Sequence, residues 1–174
     1  MAPVGSRESL AAALAAGADA VYFGIEGLNM RSRSSANFTA DDMAEIVAIC
    51  TERGVKTYLT VNTVIYDSDM ETMRMIISRA KEAGISAIIA SDMAAILYAR
   101  EIGQEVHIST QVNVSNTEAV RYYSQFADVM VLARELNMEQ VSEIHRAIVA
   151  ENICGPNGKP IRLEMFCHGA LCMA

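Results

Sequence analysis

A chain of 174 residues with a formal net charge of -7 is long enough for one domain with a real core, and its acidic balance excludes a broad basic surface while leaving room for a local basic pocket. Hydrophobic residues make up 52% and charged residues 20% of it, the balance of a water-soluble globular fold. No apolar run approaches the roughly 18 residues of a membrane span, and Met1-Ala2-Pro3-Val4 lacks the basic-then-apolar pattern of a signal peptide, so a cytoplasmic home is expected.

The predicted elements repeat a unit of helix, glycine and short apolar strand. Met1 to Val4 reads as the stump of a first strand. Ser6 to Ala16 is a helix that Gly17 closes before the strand Ala20 to Gly24. Ala40 to Arg53, Gly54 and Val55 to Val61 repeat the unit, as do Asp69 to Ala83, Gly84 and Ile85 to Ala90. Asp92 to Ile102 with Gly103 leads to Glu105 to Ser109. Asn116 to Ala127 runs into Asp128 to Ala133 without a glycine, and Met138 to Glu151 reaches Ile161 to Phe166 through a Gly-Pro-Asn-Gly loop. Glycine after a helix takes the left-handed conformation that closes the helix C-terminus. Ser68 with Glu71, Ser115 with Glu118 and Asn137 with Gln140 have capping-box spacing, and Thr39 with Asp42 approximates it. Met43, Ile46, Val47 and Cys50 share one helical face, which makes Cys50 a small core residue.

Strands alternating with helices imply a parallel sheet, because parallel neighbours need a crossover. The apolar strand runs, without clean alternation, fit a sheet covered by helices. The expected fold is α/β: a TIM-like (β/α) barrel of about seven parallel strands, incomplete at both ends, with residues 1–174 forming a single partial domain whose remainder lies elsewhere. An open doubly wound sheet is the alternative; the missing Gly-x-Gly-x-x-Gly after the first strand weakens its dinucleotide-binding version.

Active sites of such barrels lie at the C-terminal strand ends. Polar residues expected there are Glu26, Asn29, Arg31, Arg33 and Asn37; Thr60 and Asn62; Ser91 and Asp92; Gln111 and Asn113; Arg134 and Glu135; and Glu164, His168 and Cys172. Arg31 and Arg33 flank a serine-rich loop that reads equally as solvated surface or anion site. Asp92 reads first as a helix cap. Arg134 and Glu135 read as a local ion pair or a binding pair. Gln111 and Asn113 would face the barrel mouth as amides needing partners. A barrel-facing Glu164 must be paired or shifted in pKa. His107 and His145 carry no partner pattern and read as structural or exposed. Cys167 and Cys172 near His168 allow metal ligation or a Cys–His nucleophile, and the spacing alone decides neither.

Glu164-x-Phe166-x-His168-Gly169-Ala170-Leu171-Cys172 resembles the signature of the collagenase-like peptidase family of unknown catalytic type. The opening Ala2-Pro3-Val4-Gly5-Ser6, Ala16-Gly17-Ala18-Asp19-Ala20-Val21-Tyr22-Phe23-Gly24, Asn29-Met30-Arg31, Ser109-Thr110-Gln111-x-Asn113 and Arg134-Glu135-Leu136 agree with it. The resemblance covers essentially the whole chain. It implies either of two activities. One is proteolysis of a protein substrate, collagen in particular, although no His-Glu-x-x-His or Gly-x-Ser-x-Gly is present. The other is oxygen-independent hydroxylation of tRNA or rRNA, or of a quinone precursor, using a [4Fe–4S] cluster held by four cysteines and a prephenate-like anion as hydroxyl source. On that reading Cys172 matches the first cluster ligand and the other three lie beyond this sequence. Glu164 and His168 would then move protons, and Arg31, Asn62, Gln111, Asn113, Arg134 and Glu135 would line the pocket. A non-catalytic binding module is the remaining alternative. No oligomeric state is implied.

Overall fold

The computed structural model describes residues 1–25 and 38–167. Contacts divide the chain into two compact units, Met1–Val106 and His107–Ala174. The first contains β1 (Ala2–Pro3), α1 (Arg7–Ala15), β2 (Ala20–Phe23), α2 (Met43–Thr51), β3 (Lys56–Val61), α3 (Met70–Ala83), β4 (Ala87–Ala90) and α4 (Met93–Glu101). From the boundary onward follow β5 (Val106–Ile108), α5 (Thr117–Tyr123), β6 (Val129–Val131), α6 (Met138–Glu151) and β7 (Arg162–Glu164).

The seven strands follow one another in the sheet in chain order, and the described pairings are parallel. That order decides between the two expected architectures. A doubly wound sheet reverses its strand order at a switch point, whereas unbroken sequential order with a helix in each crossover is that of a (β/α) barrel. Seven parallel strands with intervening helices are therefore the barrel arrangement that the alternating sequence implied.

In the first unit the two faces of the strands separate by the period of two. Ala20, Tyr58, Ala87 and Ile89 form one buried cluster with Tyr22 against it. The opposite positions, Val21, Phe23, Leu59, Val61 and Ile88, are also buried, as are Met43, Ile46 and Cys50 of α2 and Met73, Ile76, Ile77 and Ala80 of α3. Strands buried on both faces explain why the sequence shows apolar runs. Each such aliphatic side chain removed from water contributes about 1.5–3 kcal/mol.

Local chemistry sets the helix ends. Gly84 closes α3 at φ 84°, donating its N–H to the Ala80 and Lys81 carbonyls, and Asn152 takes the same left-handed role for α6 at φ 50°. Asn137 and Gln140 form the expected reciprocal cap, and Asp42 accepts from the Thr39 N–H and hydroxyl. Two caps differ from expectation. α3 is preceded by a 3-10 turn over Asp67–Asp69 in which Asp69, not Ser68, accepts from the Tyr66 N–H. α5 is capped by Asn116, which accepts from the Ala119 N–H; Ser115 lies one position too early. In both cases an amide or carboxylate oxygen stands beside the serine and takes the backbone donor.

In the second unit, the Gly-Pro-Asn-Gly loop is tied under β6. Asp128 accepts from Asn157 N–H and Nδ2 at 3.1 and 2.8 Å. Gly155 lies so close that a Cβ there would sit 2.4 Å from Asp128 Oδ1 and 2.9 Å from the Ala127 carbonyl oxygen. This anchor lies at the N-terminal end of β6, the end of a barrel strand associated with stability.

Candidate active site

The strongest convergence of polar groups at C-terminal strand ends in the second unit involves β5, β6 and β7. The register aligns His107 with Val129, Val129 with Arg162, and Val131 with Glu164. His107, Val129, Val131, Arg162 and Glu164 therefore share one face. Leu163 points to the other, where with Val141 and His145 of α6 it lines a cavity of about 470 Å³. The polar face is thus the one turned away from α6.

On that face His107 is 1% exposed and Glu164 27% exposed by side chain, and His107 Nδ1 lies 3.8 Å from Glu164 Oε1. That separation exceeds a hydrogen bond. The second carboxylate oxygen, Oε2, is buried and has no hydrogen-bond partner among the described residues. A shielded carboxylate with unused acceptor capacity is costly unless a ligand or water completes it. Imidazole and carboxylate together can hold a proton, pass it, or fix a donor group of a ligand.

The rim is polar and aromatic. Arg134, just beyond β6, and Phe166, just beyond β7, are both exposed, and Arg134 Cζ lies 5.9 Å from the Phe166 ring centroid. Glu135 is exposed beside Arg134. Gln111 and Asn113 are exposed on and after the 3-10 turn Thr110–Val112 that follows β5. Asn113 adopts φ 56° and closes that turn, so its position is accounted for by backbone geometry. In the first unit Asn62 is half-buried just past β3. Asp92 caps α4 through the Ala94 N–H and also accepts from the Ile65 N–H, as expected of a structural aspartate. Arg31, His168 and Cys172 lie outside the described residues, as do Glu26, Asn29, Arg33 and Asn37.

The sequence reads His107 as structural or exposed, and the structure places it buried beside Glu164. Its only local signal is a lone imidazole in an apolar three-residue strand; the partner comes from a strand far along the chain.

The cysteine that the resemblance makes a cluster ligand, Cys172, lies outside the described residues; the described thiols are three others, which the resemblance does not make ligands. Cys50 is buried in the packed face of α2, where burial pushes its thiol up. Cys154 precedes β7, pairs in an isolated bridge with Pro160, and so lies toward the opposite strand end from Glu164. Cys167 is exposed and alone among the described thiols follows the site strand. Among the described residues no group of three His, Cys, Asp or Glu side chains could hold a metal ion.

Comparison with known proteins gives a consistent placement. The model of peptidase family U32 matches residues 5–174. A protein named collagenase from Porphyromonas gingivalis (strain W83) is 68% identical over 174 residues, covering all of this chain and 42% of that protein. The 23S rRNA 5-hydroxycytidine C2501 synthase of Escherichia coli (strain K12) is 35% identical over 159 residues, 91% of this chain and 22% of the enzyme. This chain thus spans less than half of either relative. The fold of a solved U32 peptidase superposes with a TM-score of 0.69 over 83% of this chain and 63% of that one, at 17% identity. The match over nearly every residue leaves one assignment: the chain belongs to peptidase family U32.

Proposed function

We propose that the full-length protein hydroxylates a pyrimidine base of RNA, with the C-terminal ends of β5, β6 and β7 forming part of the substrate pocket. The observation that carries this reading is the His107–Glu164 pair, a shielded carboxylate 3.8 Å from an imidazole on one strand face. Glu164 is suited to accept an N–H of a base edge and so hold the base in place. His107 stands beside it on the same face. Arg134 supplies a guanidinium for an anionic group, a phosphate of the RNA or a carboxylate of the hydroxyl donor. The kinship with an rRNA hydroxycytidine synthase over 91% of this chain supports the substrate class. No step is assigned to an iron–sulfur cluster; Cys172 is the position at which the resemblance would place a ligand.

A second reading is peptide-bond hydrolysis, favoured by the 68% identity to a protein named collagenase. Glu164 would then act as general base toward water. One comparison separates the two. Cells lacking the gene for the full-length protein are complemented with it, their RNA nucleosides are measured by mass spectrometry, and the purified protein is incubated with gelatin. Restoration of a hydroxylated pyrimidine with no gelatin cleavage is the expected result. Unchanged nucleosides with cleavage by the purified protein would replace hydroxylation by proteolysis.

A further inference from the structure

We infer that Phe166 and Arg134, with Glu164 behind them, form a stacking platform for a single extruded pyrimidine nucleotide; the inference deepens the RNA reading above and rests on it.

Phe166 keeps 44% of its surface exposed. Scattered exposed apolar side chains are ordinary, but this ring is not scattered. It stands two residues beyond Glu164 and is approached by the Arg134 guanidinium at 5.9 Å. The cation orients the ring and leaves much of its surface open. A nucleobase fits such a surface because each base has a π face that stacks on phenylalanine or on a guanidinium plane. The guanidinium edge can donate two parallel hydrogen bonds to a phosphate. One nucleotide would then meet both groups, its base on the ring and its phosphate at Arg134.

Glu164 adds a base-edge contact. Its carboxylate can accept from the exocyclic amine of cytosine or the N3–H of uracil, a hydrogen bond that stacking alone does not supply.

The experiment measures fluorescence anisotropy of labelled single-stranded oligocytidylate, oligouridylate and oligoadenylate with the full-length protein. Wild type, Phe166→Ala, Phe166→Trp, Arg134→Ala and the remote surface variant Val149→Ser are compared, with circular dichroism to verify folding. Phe166→Ala should weaken pyrimidine binding about tenfold, a stacking-sized loss. Phe166→Trp should retain it and Val149→Ser should leave it unchanged. Arg134→Ala should make the logarithmic salt dependence shallower by about 0.7, the share of one phosphate on a single strand. Equal binding by folded Phe166→Ala, or displacement of the oligonucleotide by gelatin, would overturn the platform. Nucleoside analysis of complemented cells separates the two failures. Full hydroxylation by Phe166→Ala would sink the platform and leave the RNA reading standing; absence of RNA binding and hydroxylation by wild type would remove both.

Discussion

His107 on β5 and Glu164 on β7 bring an imidazole nitrogen and a carboxylate oxygen to 3.8 Å across the intervening strand β6. The pair is shielded unevenly: the imidazole is fully buried and the carboxylate keeps a quarter of its surface. Such asymmetry suits a group that meets a ligand and a second group packed behind it.

Glu164→Gln preserves shape and removes the charge. The full-length variant should lose about 100-fold or more of its activity, the range for deleting a positioned acid or base, while its thermal midpoint stays near wild type. Activity assays with parallel melting curves check this. A variant as active as wild type would reduce Glu164 to a structural group.

Gly155→Ala should destabilise the protein by about 1–3 kcal/mol, the usual cost of forcing extra volume into a packed place. The added Cβ would fall 2.4 Å from Asp128 Oδ1, so the loop must withdraw from its anchor and strain both Asn157 hydrogen bonds. Urea unfolding measures the change, and an unaltered midpoint would show that the loop yields freely.

The helix ends and the strand rhythm were legible because their causes are local. The closing role of Gly84 and the reciprocal cap of Asn137 and Gln140 need only neighbours within a few residues. Competition among adjacent capping residues was harder to read, which is why Asn116 and Asp69 displaced the expected serines. The candidate site was read in part. Glu164 stood out as a carboxylate in an apolar strand, but His107 did not, because pairing β5 with β7 is a property of the sheet and not of either segment. Gln111 and Asn113 were read as following the β5 strand end, and they do: β5 ends at Ile108 and both residues are exposed on and after the 3-10 turn that follows.

Acid should expose the contribution of the Thr39–Asp42 cap. The Thr39 backbone N–H, then its hydroxyl, with Arg7 adding to them, hold the Asp42 carboxyl below its ordinary value. A carboxyl lowered in the folded state stabilises above the unfolded pKa, near 3.9, and that stabilisation is lost as pH falls through the lower folded value. Asp42→Asn should therefore be less stable than wild type at pH 7, with the gap narrowing as pH drops below about 4. Urea midpoints across that range test it; a gap independent of pH would exclude the charge as its source.

Thiol labelling should distinguish the cysteines by burial. Cys167 is exposed, whereas Cys50 is buried with its thiolate disfavoured, and reactivity follows accessible thiolate. Iodoacetamide should modify Cys167 in the native protein and Cys50 only in denaturant. Rapid native labelling of Cys50 would mean that α2 opens readily.

The most direct test of the central claim is the hydroxylated-pyrimidine content of RNA from cells whose sole copy of the full-length protein carries Glu164→Gln. The account predicts loss of the modified nucleoside at normal protein abundance. An unchanged level of that nucleoside would contradict it.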